Sequence, residues 1–248
     1  MSRKTVLLLI SIFAICNAFT IKHKETVQNG FAVVELFTSE GCSSCPPADA
    51  LVARIAQENK GRPVYILAYH VDYWDRLGWK DKFSDRTFSE RQREYGKWLN
   101  LASVYTLQIV VNGSKEFIGS EEKTLRGAIK SSFTKAIGTK LEISISGRTG
   151  KTISLNYQTS QQTLGYHLRV ALITNHASNK IERGENSGKT LSHVQIVREV
   201  ESFSLNGKET GNVNFIPAKA IQQDSNEIIA FLQNDKTGQI TAAVKTTL

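Results

Sequence analysis

Two cysteines, Cys42 and Cys45, have the spacing and the setting for redox chemistry. They follow an apolar run at 31–37 and precede an amphipathic segment at 46–56. A cysteine pair between a strand and the start of a helix is the layout of a thiol-disulfide site. The unpaired N–H groups at a helix start favour the thiolate of the first cysteine, and one helical turn brings the two sulfurs within bonding distance. The spacing therefore predicts thiol-disulfide exchange.

The cysteine pair has three possible uses. In a thiol-disulfide oxidoreductase, Cys42 attacks a partner disulfide as a thiolate, and Cys45 resolves the mixed disulfide. Alternatively, the two sulfurs and His70 hold or hand over a soft metal such as Cu(I) or Zn(II). In the third use, the pair is a structural disulfide of a nonenzymatic module. We expect the small side chains of Ser43 and Ser44 to leave the sulfurs accessible.

The amino-terminal residues are typical of a secretory signal peptide. A basic start precedes an apolar stretch at 6–15, which is too short to span a bilayer as a mature helix. Cleavage after Ala18 would remove residues 1–18 together with Cys16, for which lipid modification is the alternative. Export predicts a periplasmic or secreted protein whose partners are protein thiols or disulfides of the envelope. We expect no stable membrane span after signal cleavage.

Composition and charge restrict the other classes of function. The chain has 248 residues, of which 40% are hydrophobic and 22% charged, as in an ordinary soluble globular protein. Its net charge is +8, but basic and acidic residues alternate, as at 80–82. This mixing indicates a solvated surface, so no nucleic-acid partner is predicted. No phosphate-binding glycine loop is visible, and we predict no cofactor. No complete nucleophile triad is visible either.

The hydrophobic pattern predicts the elements that position the cysteines. A buried strand at 31–37, a helix with one apolar stripe and a second strand at 64–69 form a right-handed parallel βαβ unit. A helix from Thr87 and two strands joined by a turn at 112–113 follow, and then a helix at 123–137. From about residue 140, alternation at period two predicts a β-sandwich of about seven short strands, with a polar loop at 182–191.

Several polar and aromatic residues follow the second parallel strand. Because ligands of parallel sheets bind outside the carboxyl ends of the strands, we expect His70, Asp72 and Trp74 to border the cysteines. His70 or Asp72 can then exchange a proton with the buried thiol. The alternative is structural, with a hydrogen-bonded His70, an Asx-type turn at Asp72 and a packed Trp74.

Long stretches of the chain resemble one family. They are ELFTSEGCSSCPPAD at 35–49, HVDYWD at 70–75, GWK at 78–80, SVYT at 103–106 and VVNG at 110–113. In this order they resemble the domain of unknown function 1223 family, whose members are exported thioredoxin-like proteins. The resemblance implies an α/β thioredoxin-like domain at 28–138. The alternating pattern places an all-β sandwich-like domain at 140–248 after it, and the resemblance suggests that the two halves belong to one unit.

The resemblance also draws attention to Thr106 and Leu107. In thioredoxin-like proteins a proline follows the matching threonine, and its cis peptide bond lies in a loop that faces the dithiol. Here Leu107 takes the place of that proline. A cis bond before a non-proline residue costs about 3–4 kcal/mol, so we expect a trans bond and a reshaped groove beside Cys42.

Overall fold

The computed structural model describes residues 30–135, 138–218 and 225–248. These residues contain eleven β-strands and three α-helices. The strands are β1 (Ala32–Thr38), β2 (Val64–His70), β3 (Gln108–Val111), β4 (Lys115–Ile118), β5 (Leu141–Thr149), β6 (Thr152–Thr159), β7 (Tyr166–Lys180), β8 (Thr190–Ser204), β9 (Thr210–Phe215), β10 (Ser225–Asn234) and β11 (Ile240–Thr247). The helices are α1 (Pro46–Glu58), α2 (Arg86–Trp98) and α3 (Glu122–Phe133). The predicted signal peptide at 1–18, with Cys16, lies outside the described residues.

One mixed sheet joins both halves of the chain. Its order is β11-β10-β7-β8-β2-β1-β3-β4, and β5-β6-β9 form a second, three-stranded sheet. The prediction of an α/β thioredoxin-like domain followed by an all-β sandwich-like domain is therefore wrong, since 44% of the described residues are in strands and the large sheet is shared between the two halves. The physical reason is that β2 would otherwise present an open edge, and β8 pairs with that edge in parallel, with Ala68 opposite Ile196. Period-two alternation predicts which face of a strand is buried but not which strand will be its neighbour.

The unit around the cysteines has the predicted order. Strands β1 and β2 are parallel, in register from Ala32 opposite Val64 to Thr38 opposite His70, and α1 connects them. Prolines occupy the first turn of α1, where a missing N–H costs little. None of the helices in the described part of the chain is long and apolar enough to cross a bilayer.

The core has three apolar clusters. One contains both cysteines and the buried face of α1, with Leu51 packed near Leu36 of β1 and Leu125 of α3. A second cluster joins the two halves, because Phe88 of α2 packs in the same cluster as Phe231 of β10. The third lies between the small sheet and strands β7 and β10. The second half of the chain is thus part of the structure that supports the cysteine turn.

Candidate thiol-disulfide site

Cys42 and Cys45 are joined by a disulfide in the turn between β1 and α1. The Cys45 N–H donates to the Cys42 carbonyl at 3.2 Å. Cys45 is also the N-cap residue of α1, and its carbonyl accepts the N–H groups of Ala48 at 2.9 Å and Asp49 at 3.2 Å. The first turn of the helix therefore fixes the second cysteine. The pair lies at a helix start, as the sequence indicates.

The disulfide is closed off from solvent. Neither Cys42 nor Cys45 has exposed surface, although Ser43 and Ser44 between them are exposed. The expectation that these serines leave the sulfurs accessible is wrong. Both sulfurs are packed in the apolar cluster that contains Ala48 and Leu107, and the cysteine turn is hydrogen-bonded to the segment 181–189 between β7 and β8, which we call the cover loop.

Two residues of the cover loop bind the cysteine turn directly. Asn186 is fully buried, and its side-chain amide donates to the carbonyls of Glu40 and Cys42, both at 2.9 Å. The exposed carboxylate of Glu185 accepts the Ser43 N–H at 3.0 Å. Hydrogen bonds from the Ser43 side chain and backbone hold the pKa of Glu185 below its usual value. The turn is therefore bonded on its outer side to a segment far away in sequence.

Three predicted lining residues meet beside the disulfide. Trp74 and Leu107 pack with the apolar cluster that contains both cysteines, and the Trp74 indole N–H donates to the Thr106 hydroxyl at 2.8 Å. The Thr106–Leu107 peptide bond is cis, so the predicted trans bond is wrong. An isolated dipeptide without proline prefers the trans bond. In the fold, the buried Leu107 side chain, the indole contact and a 2.6 Å hydrogen bond from the Gly119 N–H to the Leu107 carbonyl also position this segment.

The other two predicted residues bind elsewhere. Asp72 is hydrogen-bonded to Ser89 of α2 through both its backbone N–H and its carboxylate. His70 is fully buried, and its Nδ1 lies 2.6 Å from a carboxylate oxygen of Asp81. Burial opposes the charge on Asp81, but His70 and hydrogen bonds hold the pKa of this carboxyl below its usual value. The contacts of His70 and Asp72 are thus those of the structural alternative.

A buried polar group close to the cysteine turn contains His70 and four residues that the sequence analysis did not single out. We call it the histidine cluster; its members are Glu40, Asp49, His70, Asp81 and His193. Nε2 of His193 lies 3.5 Å from Glu40, and Nδ1 lies 3.5 Å from Asp49. Burial disfavours the charged imidazolium, but the close carboxylates of Asp49 and Glu40, together with the charge of Asp81, outweigh it and raise the pKa of His193 to about 9. His193 is therefore positively charged at neutral pH.

The histidine cluster brackets the disulfide along the chain. Glu40 stands two residues before Cys42, and Asp49 lies one helical turn after Cys45, with the Thr38 hydroxyl donating to it at 3.1 Å. A signal for these residues was present in the sequence. Glu40 and Asp49 fall within the stretch 35–49, and His193 takes a buried position in the alternating pattern of β8. Their meeting depends on the pairing of β8 with β2, which no local pattern contains.

Several polar atoms of the histidine cluster have no hydrogen-bond partner among the described residues. They are Glu40 Oε1, His70 Nε2 and both ring nitrogens of His193. The described residues nevertheless contain no group of three or more His, Cys, Asp and Glu side chains that can hold a metal ion. In this oxidised form the two sulfurs bind each other. The soft-metal set of Cys42, Cys45 and His70 is therefore not assembled here.

Comparison with known proteins gives the family. Residues 33–233 match the family model described as Protein of unknown function (DUF1223). This chain belongs to that family. No curated protein matches the chain. A crystal structure of a protein from Agrobacterium tumefaciens is similar, with 27% sequence identity and a TM-score of 0.67 over 91% of this chain and 95% of that one. DUF1223 membership adds no activity, so any function must be argued from the site.

Proposed function

We propose that this DUF1223 protein is an exported thiol-disulfide oxidoreductase that uses Cys42 and Cys45. The observation that carries the proposal is the disulfide at the start of α1. The disulfide follows the carboxyl end of β1, and the parallel strand β2 ends at the same edge of the sheet, where sheets of this kind bind ligands. The N–H groups of a helix start stabilise the thiolate that forms when the bond is reduced.

The chemistry proceeds in two exchange steps. A thiolate of a reduced partner attacks the Cys42 sulfur, the disulfide breaks, and Cys45 leaves as a thiolate that takes up a proton. A second thiolate of the partner then attacks the mixed disulfide and releases Cys42. The partner is oxidised by two electrons, and this chain is reduced by the same two. Each step also runs in reverse, so the direction depends on the potentials of the two pairs.

The burial of both sulfurs imposes a condition on this chemistry. A thiolate must approach a sulfur directly, and neither sulfur has exposed surface. The cover loop is bonded to the cysteine turn but is itself mostly exposed, so it is the part that can move with the least loss of packing. Exchange therefore begins with an opening of the cover loop.

Burial also favours a second candidate, a structural disulfide. The measurement that separates the two is the reduction potential of the pair in the folded protein. A value above about −250 mV, together with turnover of a model disulfide, fits an exchanger, whereas a value below about −300 mV fits a structural bond.

Covalent trapping tests the proposed function. Cys45→Ala leaves Cys42 unable to complete the exchange, so the full chain expressed with its export signal should accumulate mixed disulfides with envelope proteins. The adducts should disappear with dithiothreitol and be absent from the double variant Cys42→Ala/Cys45→Ala, which is the matched control. If the single variant forms no more adducts than the double variant, and the wild-type protein does not turn over a model disulfide, the proposed function is wrong.

A further inference from the structure

We infer that the cover loop is a redox-responsive latch, in which Glu185 and Asn186 hold the oxidised pair closed and reduction of the disulfide releases them. This inference deepens the proposed function. It rests on that function only because it requires a disulfide that can be reduced. It assigns a role to two residues of the second half of the chain. The contacts that support it are those between the cover loop and the cysteine turn.

Asn186 is the anchor of the latch. It is fully buried in a loop whose neighbouring residues are exposed. Its amide group binds the carbonyls of Glu40 and Cys42, and its carbonyl oxygen accepts from Lys189 at 3.0 Å. Because the side chain makes three hydrogen bonds at once, loss of one main-chain partner leaves a buried amide unpaired, which is costly. The closed loop therefore depends on the exact shape of the cysteine turn.

Two glycines make this loop able to turn sharply on both sides of the anchor. Gly184 has φ of +77° and Gly188 has φ of +83°, a backbone region that other residues rarely adopt. At Gly184 an added Cβ would lie 3.1 Å from the Cβ of Trp79, so the loop also passes close to the body of the protein there. The cover loop is thus a short segment with one buried anchor between two glycine turns.

Glu185 makes closure dependent on charge. Its carboxylate takes the N–H of Ser43, the residue next to Cys42. The oxidised disulfide is neutral and does not repel this carboxylate. A dithiol such as dithiothreitol is oxidised to its disulfide as it reduces the pair, which leaves a Cys45 thiol, a Cys42 thiolate and one released proton. The new thiolate repels Glu185 and competes for hydrogen bonds of the same turn, so reduction weakens the closed state.

The coupling between the redox state of the cysteine pair and the position of the cover loop must act in both directions. If reduction favours the open loop, then opening the loop by mutation must favour reduction by the same factor. Asn186→Ala should therefore raise the equilibrium constant for reduction by dithiothreitol about tenfold, which corresponds to about 30 mV in potential for a two-electron couple. Asn212→Ala is the matched control, because Asn212 also makes two side-chain hydrogen bonds but lies on the small sheet. An unchanged constant in Asn186→Ala would overturn the inference.

Limited proteolysis of the full chain measures directly whether the cover loop is open. Arg183 is an exposed trypsin site within the cover loop. Cleavage after Arg183, identified by mass spectrometry, should be about tenfold faster in reduced wild-type protein than in oxidised protein. Glu185→Gln should lower this ratio to about threefold or less, since it keeps the hydrogen-bonding shape but removes the charge. Glu182→Gln, in the same loop, should keep the wild-type ratio.

Each other result has a defined meaning. Equal cleavage after Arg183 in the two redox states of the wild-type protein would overturn the latch, even in a protein that turns over disulfides. Equally accelerated cleavage within the strands, for example after Arg169 of β7, would mean general unfolding and would also overturn it. Reduction is achieved here by dithiothreitol and confirmed by counting free thiols, so a failure to find an envelope partner does not affect the result. A pair that stays oxidised in excess dithiothreitol would overturn both proposals.

Discussion

Two buried charged groups flank β1, and they differ in how completely their polar atoms are paired. On the side of α2, Glu35 meets Arg91, whose Nε and Nη2 lie 2.7 and 2.6 Å from the same carboxylate oxygen. Tyr95 donates to the other oxygen of Glu35, and Gln233 of β10 accepts from Arg91 at 3.2 Å. We call these four residues the arginine network. Each of its charged groups has a hydrogen-bonded partner.

The histidine cluster is looser. The two contacts of His193 with carboxylates are both 3.5 Å long, and its ring nitrogens have no hydrogen-bond partner in the part of the chain that the structure describes. Both groups connect the first half of the chain to the second, through Gln233 in one case and His193 in the other. The difference is that only the histidine cluster adjoins the disulfide turn, through Glu40 and Asp49.

This difference in hydrogen bonding gives the arginine network a structural role and lets the members of the histidine cluster shift their positions. A fully hydrogen-bonded ion pair fixes one geometry, because any shift breaks several bonds at once. A cluster held by longer ion-pair contacts keeps most of its Coulomb energy when its members move slightly, since that energy changes slowly with distance. We infer that the arginine network holds the two halves together. The histidine cluster instead supplies a positive charge, on His193, near the disulfide turn.

The largest expected effect is on the arginine network. Arg91→Met leaves the Glu35 carboxylate buried without its cation, so the free energy of unfolding in urea should fall by about 3–5 kcal/mol. Arg86→Met is the matched control on the same helix, since the Arg86 side chain is 81% exposed and forms a surface ion pair with Glu90. That variant should lose less than about 1 kcal/mol. A loss of stability in Arg91→Met that is no larger than in the control would mean that the network is not structural.

The next effect is on the histidine cluster and depends on pH. The pKa of His193 rises from 6.5 to about 9 on folding, so its charge contributes about 3 kcal/mol of stability. Because the folded pKa is the higher one, this contribution is complete below pH 6.5 and is lost as the pH rises through 9. His193→Gln should therefore be about 3 kcal/mol less stable than wild type at pH 6, with a difference that shrinks toward pH 9.5.

A second histidine provides the control for this pH dependence. His167 lies 2.6 Å from Asp235, but its side chain is 34% exposed, so solvent screens the pair. Urea unfolding of His167→Gln from pH 6 to 9.5 should show a difference from wild type of less than about 1 kcal/mol. If the stability difference for His193→Gln were constant over this range, the charge on His193 would not be the cause.

The local elements around the cysteines could be predicted from sequence. The strand before Cys42 and the helix after Cys45 follow from hydrophobic periodicity and from prolines in a first turn. Parallel pairing of β1 and β2 follows because a helix connects them. The predicted polar loop at 182–191 also corresponds to the connection between β7 and β8. These features are encoded within about a dozen neighbouring residues.

The architecture and the cover of the site could not be predicted in this way. Strand β8 lies beside β2, and this single placement brings His193 to Asp49 and Asn186 to Cys42. Alternation in β8 shows that one face is buried, but β8 gains equally by burying it against any sheet of suitable length. The same limit applies to the cover loop, since Glu185 and Asn186 reach the cysteine turn from a different part of the sequence.

The smallest expected effect concerns Trp74, which packs against the apolar clusters on both sides of β1. Trp74→Phe removes the hydrogen bond to Thr106 and should cost about 1 kcal/mol of unfolding free energy. Trp98→Phe removes a similar bond, to the Asp235 carbonyl at 3.0 Å, and should cost about the same. Only Trp74→Phe loosens the segment beside the disulfide. Dithiothreitol should therefore reduce the disulfide about threefold faster in this variant and at the wild-type rate in Trp98→Phe. Equal reduction rates in both variants would show that the cover loop alone controls access to the sulfurs.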